Sequence, residues 1–578
     1  MSSVEPRHIP SAAPSWRWLT GLIWWIEHAF ERAKADQRPE EDTRVRIALM
    51  LVLFGVLFTA LVGGAGNAAL LSGDPGAGGW RAGPVLARGD LTDRNGNLLA
   101  ANIRHYGLYV DPAEVWDREA ALEAMSAALP RLPRDRLRDA LYGDRRVVVM
   151  NGLTPPERAA LHDLALGGVY FEAENARVYP LGGSAAHVIG FAGARGVTGA
   201  ELAFDREIRR AGETGEAVPL SIDLRVQAAL ENELYAAAAE QGVRGAVGIV
   251  TNIQTGEVLA MASYPEFNPN RRGETGDAEL NRVTSAHYEM GSVFKAFTVA
   301  AGLDTGRADM NTTFDASDPL QIGNRTIRDF HAQNRIMTLE EVFLHSSNIG
   351  TSRLAIEMGP DIMQRYVQDL GLLDAAPIEL RESAAPRRPV NWRDTTLASL
   401  SFGYGIMVTP AQAAGAMGSL LNGGRYVPLT LRPADGPHPG VRRVVSEDTS
   451  REMLELMRLN VVRGSGSRAD APGLRVGGKT GSANKVVGGR YDPTHAIGTF
   501  AAVFPTDGPL DAPRYMVFIL MDEPQSYPRT GGFVAAPVAG RVIDRIAGFV
   551  NVSRGADRWR TASGEPIPQP GAAAEAAR

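Results

Sequence analysis

Ser292 and Lys295 stand three residues apart in Tyr288–Glu289–Met290–Gly291–Ser292–Val293–Phe294–Lys295, ahead of the apolar run Ala296–Ala301. Residues three apart on a helix share a face, so a helix opened by Ser292 would bring an amine onto a hydroxyl. An uncharged lysine can take the serine proton, and the resulting alkoxide can attack a carbonyl. Gly291 lets a substrate approach the backbone, and N–H groups at a helix start could stabilise an oxyanion. Alone the pattern is weak, because serine and lysine at this spacing are ordinarily a solvated helix face, and Ser482–Ala483–Asn484–Lys485 fits it too. Lysine usage adds weight. Of sixty Lys plus Arg, only Lys34, Lys295, Lys479 and Lys485 are lysines. Arginine stays protonated in proteins, whereas a desolvated lysine can serve as a base.

The elements that must position these residues belong to a chain of 578 residues, long enough for two or three domains with linkers. A net charge of −6 gives no electrostatic reason to expect nucleic-acid binding. The absence of cysteine excludes disulfides, thiolate metal sites and cysteine nucleophiles.

Residues 1–46 read as a cytoplasmic tail holding four of the eight tryptophans, Trp16, Trp18, Trp24 and Trp25. That cluster is either an interfacial helix or a locally collapsed tail. Residues 47–71 are the transmembrane candidate, uncharged from Ile47 to Val62 and preceded by Arg38, Arg44 and Arg46. The positive-inside rule puts the N-terminus in the cytoplasm and everything later outside. A Gly-rich connector opens residues 72–220, an irregular α+β pedestal. It has a hairpin turn at Asn95–Gly96, helical patterns over Glu119–Leu129 and Pro155–Leu166, and no recognisable nucleophile–base pair. Residues 221–555 follow with a helix over Leu224–Glu240 and strands over Ala246–Ile253 and Val258–Ser263. A helix is expected over Thr338–Met358 and another over Thr409–Leu421. Strands follow from Gly477, over Ala496–Phe504 and over Tyr515–Met521, and a helix over Gly532–Val550 closes the series. This order predicts an antiparallel sheet flanked by helices, an α+β fold. Residues 556–578 are rich in Pro, Ala and Glu and read as a disordered tail.

Three short motifs fall in order: Ser292–Val293–Phe294–Lys295, Ser346–Ser347–Asn348, and Lys479–Thr480–Gly481 with Ser482 behind it. Each alone has a bland reading, as a helix face, a helix cap or a turn. Together they match the S-x-x-K, S-D-N and K-T-G triplet of penicillin-recognising enzymes, with Ser347 replacing the middle Asp. The chain resembles the class B penicillin-binding proteins, and within them the cell-division members. Further matches are Arg88–Gly89 with Asp93–Arg94–Asn95–Gly96, Arg177–Val178–Tyr179–Pro180, Ala186–His187–Val188–Ile189–Gly190 and Gly403–Tyr404–Gly405. Met290, where proline is common, and Ser482, where threonine is common, depart from the pattern.

The resemblance implies a penicillin-recognising serine transpeptidase domain behind a pedestal and a single transmembrane helix. It implies that Ser292 attacks the D-Ala–D-Ala carbonyl of a peptidoglycan stem peptide with Lys295 as base. Ser346 would relay a proton to the leaving group and Asn348 would hold the substrate amide. Lys479, Thr480, Gly481 and Ser482 would bind the substrate, with hydroxyls on its terminal carboxylate. No metal or organic cofactor is implied. The implied partners are stem peptides, β-lactams, the inner membrane, a SEDS-family glycan polymerase and other division proteins. An elongation-type transpeptidase, a non-catalytic division scaffold and a β-lactam-binding protein of the same fold remain as alternatives. His345, beside Ser346, reads as structural.

Overall fold

A computed structural model describes residues 50–59, 88–193, 195–271, 276–434, 438 and 440–555. Residues 1–46, the connector and the tail from 556 therefore lie outside the described residues, as does most of the 47–71 segment. The chain divides into two units, Met1–Val85 and Leu86–Arg578. In the first, residues 50–59 are helical, with apolar side chains from Met50 to Phe58 exposed. Among the described residues no helix is long and apolar enough to cross a membrane.

The second unit begins with strands β1 (Asp90–Thr92), β2 (Leu98–Val110), β3 (Val147–Leu153), β4 (Val169–Val178) and β5 (Ala217–Pro219). They form one sheet in the order β3-β2-β1-β5, with β4 also paired to β2. The expected turn between β1 and β2 is present: Gly96 has φ +84°, and the Asp93 N–H donates to Asn97 O at 2.8 Å. Helices Arg118–Ala128, Arg134–Leu141 and Pro155–His162 close an apolar cluster over β2 and β3 built from Leu108, Leu122, Met125, Leu137 and Leu153.

Arg88 and Arg177, two motif residues far apart in sequence, meet on one buried carboxylate. Glu201 is fully buried and accepts from Arg88 Nη2 and Arg177 Nε, each at 2.6 Å, while Arg88 also pairs with Asp205. Removing one partner of such a network strands buried charge, so Glu201→Ala should cost about 3–5 kcal/mol, read as a lowered denaturation midpoint.

Beyond the pedestal sheet, helix α1 (Leu224–Gln241) is followed by strands β6 (Gly245–Asn252) and β7 (Val258–Tyr264). Three more strands come late in the chain: β8 (Gly477–Val487), β9 (Arg490–Phe504) and β10 (Tyr515–Asp522). They assemble in the order β8-β9-β10-β6-β7, every neighbouring pair antiparallel. Both faces are covered, which is why β6 and β10 read as continuous apolar runs rather than as alternation. Along β10, Met516, Phe518 and Leu520 enter one core, and Val517, Ile519 and Met521 enter the other. Helix α1 and the C-terminal helix Ala536–Ile546 pack on the second face. Helices α2 (Lys295–Asp304), α3 (Leu339–Leu344), α4 (Asn348–Asp369), α5 (Asp394–Ser401), α6 (Pro410–Leu421) and α7 (Glu447–Arg463) contribute to the first.

Local structure departs from the sequence reading in several places. The helix expected over Thr338–Met358 is broken into α3 and α4 at Ser346, whose φ is +58°. Ser347 starts α4 by accepting from Gly350 N at 3.0 Å, a cap that competes with helix continuation. The helix expected over Gly532–Val550 becomes a short turn, Gly531–Val534, followed by Ala536–Ile546. Helices α5 and α7 were not expected, although α7 carries a readable start: the Ser446 cap, then Glu447 and Asp448.

Candidate active site

Ser292 sits in a 3-10 turn, Gly291–Phe294, rather than in the first turn of an α-helix; α2 begins at Lys295 itself. The turn is wedged between β8 and the Gly403 loop. Gly291 has φ +54°, and a Cβ there would fall 2.3 Å from Ser482 O. A Cβ on Gly403 would fall 2.1 Å from Gly291 O, and one on Gly481 2.4 Å from Met290 O. Such approaches exclude any side chain, so these glycines set how closely the nucleophile turn lies against the strand bearing Lys479.

Lys295 and Lys479 are both fully buried. The Lys295 Nζ lies 2.9 Å from Ser292 Oγ, 2.7 Å from Ser346 O, 3.1 Å from Ser346 Oγ and 2.8 Å from Asn348 Oδ1. The Asn348 amide is oriented by its other end, since Nδ2 donates to Arg328 O at 2.9 Å. Two of the four neighbours, the Ser346 carbonyl and Asn348 Oδ1, can only accept. A neutral amine has two N–H bonds for these acceptors and one lone pair left for a hydroxyl. Burial, reinforced by the charge of Lys479, holds the Lys295 amine well below the usual lysine range, while Asp329 opposes this. The geometry therefore suits an uncharged lysine accepting the Ser292 proton.

Ser346 Oγ lies between the two amines, 3.1 Å from Lys295 Nζ and 3.1 Å from Lys479 Nζ. Burial pushes the Lys479 amine down to about 7. Lys479 is held by β8, whose start is pinned by α7: Arg458 donates to Val476 O at 2.7 Å and Asn460 to Gly478 O at 2.7 Å. Thr480 Oγ1 lies 2.8 Å from Ser465 Oγ, and Ser482 Oγ accepts from Gly531 N at 3.1 Å.

Ser292, Lys295, Ser346, Asn348 and Lys479 thus form one continuous hydrogen-bonded cluster, and Gly481 packs directly beneath the nucleophile turn. Thr480 and Ser482 follow along the same strand. The second Ser–x–x–Lys match is separate in its bonding, because Lys485 pairs with Asp522 at 2.9 Å and with Glu523. His345 is exposed at the end of α3. Motif reading missed Asp329, which accepts from Ser347 Oγ at 2.7 Å and from Ile349 N at 2.9 Å. It also missed Ser465, Asn460 and the Glu289 carboxylate, which accepts from Gly405 N at 2.7 Å and Tyr491 OH at 3.0 Å. One signal was available: a second motif lacking its middle aspartate asks where the carboxylate went.

Two protein-family models match the chain. Residues 246–544 match the model of the penicillin-binding protein transpeptidase domain, and residues 85–214 that of the penicillin-binding protein dimerisation domain. The chain is 51% identical over 569 residues to a probable peptidoglycan D,D-transpeptidase FtsI of Caulobacter vibrioides, covering 96% of each protein. It is 31% identical over 506 residues to the peptidoglycan D,D-transpeptidase FtsI of Escherichia coli K12, covering 81% of this chain and 84% of the relative. Stage V sporulation protein D of Bacillus subtilis is 28% identical over 511 residues, covering 79% of this chain and 77% of that protein.

Proposed function

Because this chain belongs to the penicillin-binding protein family of serine-type peptidoglycan D,D-transpeptidases, we propose that it cross-links stem peptides during septal wall synthesis, with Ser292 as nucleophile. The observation that carries the assignment of Ser292 is the 2.9 Å approach of its Oγ to a buried amine whose two N–H bonds are already claimed by acceptors.

In this reading the Lys295 lone pair takes the Ser292 proton as Oγ bonds to the carbonyl carbon of the penultimate D-alanine. Backbone N–H groups of Ser292 and Ser482 hold the oxyanion, a contribution of roughly 3–4 kcal/mol per donor at comparable sites. As the C–N bond breaks, Ser346 Oγ delivers a proton to the departing D-alanine amine and is refilled from the amines beside it. The amine of a second stem peptide then attacks the ester, restoring the Ser292 hydroxyl and leaving a new peptide bond. Asn348 binds the substrate amide, while Lys479, Thr480 and Ser482 bind the terminal carboxylate. A β-lactam enters the same sequence, and its opened ring stays on Ser292.

Residues 47–71 supply a single-pass inner-membrane anchor, with the N-terminus cytoplasmic and the catalytic portion periplasmic. The anchor and the pedestal face a SEDS-family glycan polymerase and other division proteins. The test is covalent: the purified protein is labelled with a fluorescent penicillin and the adduct is located by peptide mass spectrometry. The adduct is expected on Ser292. A label on any other serine overturns the assignment.

A further inference from the structure

Ser347 occupies the place where the second motif of this family of sites can carry an aspartate, and the structure holds a carboxylate against it from elsewhere. Asp329 follows the strand Arg325–Ile327, outside all three motifs. Its Oδ2 accepts from Ser347 Oγ at 2.7 Å and its Oδ1 from Ile349 N at 2.9 Å. The preceding residue joins the same grip, since Arg328 O accepts from Asn348 Nδ2 at 2.9 Å. Residues 328–329 therefore hold Ser347, Asn348 and Ile349 in succession.

We infer that Asp329 is a positioning residue for acylation, a carboxylate supplied from a separate segment to do what the motif's own middle residue cannot. The grip of residues 328–329, of which Asp329 supplies the side-chain part and Arg328 a backbone carbonyl, has two consequences at the reacting atoms. With Nδ2 of Asn348 committed to Arg328, its Oδ1 turns to Lys295 and claims one of the amine's N–H bonds. With Ser347 fixed, Ser346 stays in its left-handed conformation, keeping its carbonyl 2.7 Å and its Oγ 3.1 Å from Lys295 Nζ. A non-glycine residue holds such a conformation at a functional site only where its surroundings impose it. Asp329 also acts on Lys295 by charge, favouring the ammonium against burial and against Lys479.

This inference rests on the Ser292 assignment, and its test is built to separate the two. Full-length protein in detergent is acylated with a fluorescent penicillin, and the second-order rate constant is followed against pH alongside thermal unfolding. Misplacing the amine's partners by about an ångström predicts a loss of up to about 10²-fold in Asp329→Ala. In that background Ser347→Asp, which returns the carboxylate to the motif, should recover most of the loss. Asp329→Asn keeps the size and removes the charge, so its acid limb should move to lower pH, a shift that a purely structural residue would not produce. Wild-type acylation in Asp329→Ala would overturn the inference, as would a loss that Ser347→Asp leaves unchanged. If Asp329→Ala does not fold, an unmoved acid limb in Asp329→Asn overturns it. An adduct away from Ser292 in the wild type overturns both readings, whereas an adduct on Ser292 with indifferent Asp329 variants removes only this one.

Discussion

Ser292→Ala should abolish covalent labelling by penicillin and all cross-linking, with no residual rate to extrapolate. The substitution removes the atom that forms the ester, and among the described residues the hydroxyls of Ser346 and Ser482 are held by other partners. Ser346 Oγ bridges the two amines, and Ser482 Oγ, on β8, accepts from Gly531 N. The scaffold should persist. Lys295 keeps its contacts with the Ser346 carbonyl and Asn348 Oδ1, and the three glycine approaches that seat the turn do not involve the Ser292 side chain. The variant should therefore fold with a thermal midpoint near that of the wild type and still bind β-lactam reversibly through Lys479, Thr480 and Ser482. Gel fluorescence after denaturation measures the covalent component, and a non-covalent competition assay measures the rest. Persistent covalent label in Ser292→Ala would show that the ester forms elsewhere.

Lys295→Arg comes second, with an expected loss of about 10²–10⁴-fold in acylation rate, the usual worth of a positioned general base. The exchange preserves a long basic side chain whose donors can still reach the Ser346 carbonyl and Asn348 Oδ1. Arginine, however, stays protonated and has no lone pair to offer. The pH dependence gives the sign. Burial and Lys479 favour the neutral Lys295 amine, so wild-type acylation should rise with pH as that amine gives up its proton. Loss of the Lys479 charge, at about 7, should weaken capture of an anionic ligand and so bend the profile down. The two amines share Ser346 Oγ, so the limbs belong to the pair rather than to either lysine. In Lys295→Arg the rising limb should vanish while the falling limb remains. A rate that instead increased as pH fell would contradict the neutral-base account.

Residue chemistry carried much of this in one dimension. The scarcity of lysine singled out Lys295 and Lys479, and ordered short motifs gave the family. Apolar runs gave strands on both sides of a long helical insert, because a strand buried on both faces must be apolar throughout. Local geometry was less legible where tertiary contacts outweigh propensity. The cap reading of Ser346–Ser347–Asn348 allows a helix start there, but that Ser346 leaves the helix in a left-handed conformation depends on Ser347 finding Asp329 and on Ser346 facing two amines. Nor does Gly481 reveal by itself that it lies under the nucleophile turn, where a Cβ would meet Met290 O.

The sequence by itself determined which side chains could do the chemistry and the order in which they occur, because identity and local spacing are properties of the chain. Only the tertiary structure decided the protonation of the base and the partners that aim it. Both depend on burial and on distances between segments about 50 to 190 residues apart, Ser292 with Ser346 and Lys479, and such separations have no trace in local pattern.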